Sequence, residues 1–169
     1  MDQLAELVNI LTVVTLISGV LFAAFELRGS RRESRRQSQI LLLRSFESPE
    51  FVKGMRRLLD LPDNLSRAEI EKSLGREGID LLWFWLGTME SFGILVFNRE
   101  IDIHTVDQSF GGPVIISWQK LHRYANEVRR DTGRESMHEW YQWLAEQLER
   151  LERQEGRTAA HLREKEWRP

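Results

Sequence analysis

Two apolar stretches rise out of an otherwise polar chain. The first runs from Leu7 to Phe25 (LVNILTVVTLISGVLFAAF) and the second from Gly78 to Phe97 (GIDLLWFWLGTMESFGILVF). About 20 mostly apolar residues are needed to cross roughly 30 Å of hydrocarbon. Leu4 to Leu27 meets that length, with Glu6 and Glu26 near its two ends. The first stretch is therefore expected to be a single transmembrane helix. A buried core helix or a cleaved signal peptide are the competing readings. A signal peptide starts basic and ends in a small-x-small site, whereas this segment starts with Asp2 and Glu6 and runs into arginines. The second stretch is apolar on nearly every side and is expected to be the central helix of a folded body. Asp80 and Glu90 argue against a second span, since an acid at mid-bilayer costs about 2.5 to 3.5 kcal/mol.

Within the first stretch the two faces differ. At about 100° per residue, Thr12, Thr15, Gly19, Ala23 and Glu26 fall on one stripe, and Val14, Leu21 and Phe25 on the other side. Small residues at such spacing let helices approach closely in lipid. The stripe is expected to mediate self-association. Lining of a pore is the remoter use of the same face.

Between and after the apolar stretches the pattern is that of amphipathic helices. Ser48-Pro49-Glu50 reads as a helix start, with a capping serine, proline in the first turn and an early acid. Phe51, Met55, Leu58 and Leu59 give it an apolar stripe. Ser66 with Glu69 forms a capping-box pattern opening a short helix to about Leu74. Asp102 is placed to cap a helix carrying Ile103, Val106 and Phe110, and Gly111-Gly112-Pro113 is expected to break it. The next helix carries Val114, Trp118, Leu121, Ala125 and Val128 inward, and ends at Asp131-Thr132-Gly133. Ser136 with Glu139 forms a second capping-box pattern, followed by Met137, Trp140, Tyr141, Leu144, Leu148 and Leu151 at helical spacing. The predicted organisation is an anchor at 1–28, a basic juxtamembrane helix at 29–47, a helical domain at 48–154 and a flexible tail at 155–169. The fold class is all-α, an N-terminal transmembrane helix continuing into a cytoplasmic bundle of about five helices. Trp167 in the tail reads either as a docking residue or as part of a frayed end.

Charge changes this picture at one place. The net charge is only -2, but Arg28, Arg31, Arg32, Arg35 and Arg36 form a collar just after the span. The flank before the span has no Lys or Arg, so the positive-inside rule puts the N-terminus outside and the body in the cytoplasm. The collar reads either as a site for anionic lipid headgroups or as a topology signal alone. The rest of the chain is not basic, so nucleic acid is not an expected partner.

Composition then removes most chemistry. The chain has no cysteine, which excludes disulfides, thiolate metal sites and cysteine nucleophiles. His104, His122, His138 and His161 are scattered outside any metal-ligand spacing. The run Asn98-Arg99-Glu100-Ile101-Asp102 lacks the ligand spacing of a calcium loop. There is no phosphate-binding glycine loop and no nucleophile elbow. No cofactor, metal or catalytic residue is expected. Glu90 is the one carboxylate deep in an apolar helix. Such a group is paired or has a raised pKa, and the pairing expected is with an arginine. Glu90 with His122 or Arg129 is the best constellation an enzyme could use.

The order of several features resembles a known family. These are the span ending Phe25-Glu26-Leu27-Arg28, the Ser48-Pro49-Glu50-Phe51 start and the aromatic-rich helix with Glu90-x-x-Gly93. Then follow Ile101-Asp102, Phe110-Gly111, Trp118, Arg129 and Trp140-x-x-x-Leu144. No single motif is specific; order and spacing carry the likeness. Over about residues 5 to 150 the chain resembles domain-of-unknown-function family 4760, small bacterial membrane-anchored proteins. The resemblance implies an anchored all-helical domain in which Glu90, Trp118 and Arg129 share a core polar network. It implies no activity. The function expected is a self-associating interaction or assembly module in the bacterial inner membrane. The alternative is an oligomeric membrane effector or channel-like protein of a stress or phage-defence response.

Overall fold

The computed structural model describes residues 12, 15–23, 25–26, 37, 40, 44, 47–156, 160–163, 165–166 and 168. The chain divides into two compact units, Met1–Ile40 and Leu41–Pro169. The described residues are all-helical where regular, without a strand among them. From residue 47 on, the helices among the described residues are α1 (Pro49–Leu59), α2 (Arg67–Phe97), α3 (Ile103–Thr132), α4 (Glu139–Glu155) and α5 (Ala160–Arg163).

In the first unit, residues 12, 15–23, 25 and 26 are helical and exposed all round. Phe22 and Phe25 expose 70% and 80% of their surface. Thr12, Thr15, Leu16, Gly19, Val20 and Ala23 line one shallow groove along this segment. Arg28, Arg31, Arg32, Arg35 and Arg36 lie outside the described residues, as does Trp167.

In the second unit the caps are those of the sequence pattern. The Ser48 hydroxyl accepts from the Phe51 amide at 3.3 Å and opens α1. Ser66 and Glu69 form a reciprocal capping box at the start of α2. One oxygen of Asp102 accepts from the His104 amide at 2.8 Å and opens α3, and Gly133, at φ 64°, closes it. The α1–α2 connection is held from α3. The Lys120 ammonium donates to the Leu61 carbonyl and pairs with Asp63 at 2.8 Å, and Arg123 donates to the Asn64 carbonyl at 2.9 Å.

Both long helices carry an internal break. Gly75 sits at φ 63°, ψ -176° inside α2, a conformation glycine adopts without steric cost. It separates the Ser66-capped turns from the apolar helix, as the pattern anticipated. In α3 the break falls at Phe110 (φ -160°) rather than at the Gly-Gly-Pro itself. Pro113 cannot donate a backbone hydrogen and its ring crowds the preceding turn, so the distortion appears upstream of it.

The core lies where α2 meets α1, α3 and α4. Trp85, Leu82, Leu86 and Met89 of α2 are fully buried, with Phe51 and Leu58 of α1, Leu121 and Tyr124 of α3, and Tyr141, Leu144 and Leu148 of α4. Phe51 packs on Trp85 with ring centroids 5.0 Å apart and edge-on to Phe110 at 6.2 Å. Burial of side chains this large contributes about 1.5 to 3 kcal/mol each. The inward set expected for α3 is buried throughout: Val114, Trp118, Leu121, Ala125 and Val128.

Among the described residues, α2 is the helix long and apolar enough to cross a membrane by length and composition, with 44% of its apolar window buried. Its packing is that of a core helix. One side, however, is only partly covered: Phe84 and Ile94 are exposed by 41 and 38%, with Trp83 at its edge exposed by 46% beside His138, whereas Phe97 packs on Trp140 and Trp143 of α4.

Candidate functional site

The polar residues singled out by the sequence gather at the first turns of α4. Sequence pattern put a capping box there, with Ser136 capping and Glu139 reciprocating. The structure corrects this. The residue before the helix is His138, left-handed at φ 59°, and it makes no side-chain capping bond. The free amides of the helix start are taken instead by Glu90, from the middle of α2. Its two carboxylate oxygens accept from the Trp140 amide at 3.3 Å and the Tyr141 amide at 2.9 Å. A carboxylate at a helix N-terminus satisfies orphan N–H groups and complements the helix dipole.

Close approach makes this reach possible. A Cβ at Gly93 would overlap the Trp140 carbonyl, so only glycine lets α2 and α4 come this near one turn beyond Glu90. The Glu90-x-x-Gly93 spacing therefore has a geometric meaning. Glycine admits the start of α4, and glutamate on the same face holds it.

The arginine expected to pair with Glu90 is elsewhere. Arg129 of α3 donates through Nε to the Met137 carbonyl at 2.9 Å, and through Nη1 to Gln142 at 2.8 Å and Asn126 at 3.2 Å. It holds the turn before α4 and acts on Glu90 only at longer range. Burial raises the Glu90 pKa, and the two amide hydrogens and Arg129 pull it back only in part. Trp118 reaches the same turn differently. It lies edge-on to the Tyr141 ring at 5.0 Å. Glu90, Trp118 and Arg129 thus meet at one helix start without a hydrogen bond among them being observed. His122 turns away, with Nδ1 2.8 Å from its own Gln119 carbonyl.

Two features escaped the sequence pattern. The first is a fully buried hydroxyl chain. Trp85 Nε1 donates to the Tyr141 hydroxyl at 3.2 Å, which lies 2.5 Å from the Ser117 hydroxyl. Ser117 also donates to the Pro113 carbonyl at 2.6 Å. Burial pushes the Tyr141 phenol far above its ordinary range, so it stays neutral. The second is His138, 7% exposed and 6.1 Å from the Trp83 ring. Its Nε2 is buried without a hydrogen-bond partner. Burial, then Arg129, lower its pKa. A lone mid-helix Glu with Gly one turn on was the available signal for the clasp; nothing local marked the Tyr141–Ser117 pair.

A second polar cluster closes the other end of α2. Arg67 pairs with Glu71 at 2.7 Å and Asp131 at 3.0 Å, and its amide donates to Glu127 at 2.7 Å. Positive and negative groups there neutralise one another. No group of three His, Asp or Glu suited to a metal occurs among the described residues. In the α4 clasp, both Glu90 oxygens already accept from backbone. The arrangement fixes a helix start.

The fold and the clasp define a class: an all-helical domain built on one apolar central helix whose half-buried carboxylate caps a neighbour. The family model described as Domain of unknown function (DUF4760) matches residues 13–148. The chain belongs to that family. No curated protein matches it, and no solved structure does.

Proposed function

We propose that this protein is a single-pass, membrane-anchored helical module that works by self-association rather than by catalysis. The N-terminal helix lies in the bacterial inner membrane, with its N-terminus outside and the body in the cytoplasm. The arginine collar rests on anionic headgroups. One observation carries the reading. Leu16, Ile17, Val20, Leu21, Phe22 and Phe25 are each more than half exposed on one short helical segment, and soluble surfaces rarely present that much contiguous apolar area. On the same segment Thr12, Thr15, Gly19 and Ala23 line a groove that suits close helix contact in lipid. Glu26 continues that stripe at the collar end.

The test is the behaviour of the full chain in membranes. The protein is expected to resist carbonate extraction and to run as an oligomer in mild detergent. Gly19→Ile is expected to weaken the oligomer about tenfold, an effect of about 1.4 kcal/mol. A protein released by carbonate, or a monomer at every detergent ratio, would overturn the reading.

A further inference from the structure

The uncovered side of α2 has an internal symmetry. At about 100° per residue, Asp80, Phe84, Gly87, Ser91, Ile94 and Asn98 fall within an arc of about 80°, and all are exposed. The ridge has aromatic bulk at one end in Trp83 and Phe84. At the other end stand Ile94 and the half-buried Leu95. Between them are Gly87 and Ser91, and a Cβ added at Gly87 meets nothing. The charge at the N-terminal end is mixed, with Arg76, Glu77 and Asp80 exposed and Glu77 3.8 Å from Arg57, while Arg99 is exposed just past the C-terminal end beside Glu100. Asp80 is the acid within the arc.

We propose that this ridge docks on the same ridge of a second copy, antiparallel, with the two-fold axis between Gly87 and Ser91. The proposal rests on the self-association read from the N-terminal helix and names the surface through which the bodies meet. A two-fold interface is isologous, so a patch must complement itself. Here it does. Turned end for end about residue 89, Trp83 and Phe84 of one copy come opposite Ile94 and Leu95 of the other. Gly87 and Ser91 form the close crossing, and Asp80 faces the Arg99 end. A parallel pairing would instead set acid against acid and aromatic bulk against aromatic bulk.

Size sets the strength of this contact. Asp80 to Asn98 spans about 27 Å of helix at 1.5 Å per residue. One helix face of that length covers well under the roughly 800 Å² per partner of a stable soluble complex. The bodies alone therefore pair weakly. Association of the spans supplies the remainder, because tethering raises the effective concentration to about the millimolar range.

The chain has no cysteine, which makes single-cysteine trapping of the full-length protein in native membranes a direct test. Ser91→Cys is expected to give disulfide dimers under copper-catalysed air oxidation about tenfold more than Gln108→Cys, an exposed position on α3 off the ridge. Asp80→Arg should reduce the Ser91→Cys dimer several-fold, and Arg99→Asp in the same chain should restore it. Gly19→Cys reports the span contact separately. Trapping at Gly19→Cys with none at Ser91→Cys above the Gln108→Cys level would overturn the ridge and leave the span reading standing. No trapping at either position would overturn both. Charge reversals without effect would overturn the antiparallel pairing. Quenching of a Ser91→Cys-attached fluorophore by brominated lipid would overturn it in favour of a lipid surface.

Discussion

Phe22 and Trp85 occupy the chain's two apolar stretches, and their surroundings are opposite. Phe22 is 70% exposed on a segment whose described residues are exposed all round. Trp85 is fully buried, packed on Phe51 and donating to Tyr141. Similar hydropathy has thus produced one helical segment that stands exposed and one helix that supplies a core. Helix α2 has polar groups placed for protein partners, with Glu90 against backbone amides and Trp85 against a buried hydroxyl. The described N-terminal segment has small and hydroxyl residues set in an apolar surface, with Glu26 at its end. Hydropathy measures the need for burial; in α2 the identity and spacing of the few polar positions mark which protein groups meet it.

The largest expected effect breaks the comparison most directly. Trp85→Ala removes a fully buried ring and orphans part of the Tyr141 hydroxyl chain, so the body should lose about 3 to 5 kcal/mol. Phe22→Ala should leave unfolding of the body unchanged. Denaturant titration of the full chain in detergent, followed by circular dichroism, measures both. A loss below about 1 kcal/mol for Trp85→Ala would remove α2 from the role of core helix.

A smaller effect sharpens the account of why α2 stays in the body. Glu90→Ala leaves the Trp140 and Tyr141 amides without their acceptor, at a cost of about 1 to 3 kcal/mol. Glu90→Gln keeps one acceptor oxygen but turns an amide donor towards the second N–H, so it should fall between wild type and Glu90→Ala. Amide hydrogen exchange at the first turn of α4 reads the effect locally. Equal protection in all three proteins would show that the carboxylate does not hold that helix start.

Much of the helical fold is legible because its determinants are local. Ser48, Ser66, Asp102 and Gly133 act on amides and carbonyls within one turn, and the inward positions of α3 follow its period. The start of α4 is not legible, because its cap comes from Glu90, about fifty residues away in the chain. Ser136 and Glu139 have capping-box spacing, but the intervening turn is left-handed at His138 and places the helix start two residues later. The expected Glu90–arginine pair failed for a related reason. Pairing of the Glu90 carboxylate was inferred from charge, whereas two backbone N–H groups satisfy it as well. The uncovered ridge of α2 was hidden too, since a helix apolar nearly all round gives no sequence sign of which side lacks a partner. Among the candidate site residues, Glu90, Trp118 and Arg129 do converge on one helix start, though through separate contacts.

The smallest expected effect concerns the buried histidine in the turn before α4. His138 lies 6.1 Å from the Trp83 ring, beside Glu139 in sequence and within the field of Arg129, with Nε2 unpartnered. Its folded pKa lies below the ordinary value of 6.5 because burial and then Arg129 penalise the imidazolium. The unfolded chain therefore binds the proton more tightly. Stability from this group is complete above about pH 6.5 and is lost as pH falls through the folded value. Glu90 acts in the opposite sense. Its raised pKa means that protonation on acidification relieves its burial penalty, so the wild-type profile contains both. Replacing His138 by Asn isolates the histidine, since Asn accepts left-handed backbone at little cost and does not titrate. The Tm of wild type should fall relative to His138→Asn between pH 7 and pH 5, with the ring of Trp83 reporting the change by fluorescence. Parallel Tm profiles for the two proteins would mean that the imidazole is solvated in the folded state and that the turn before α4 is open.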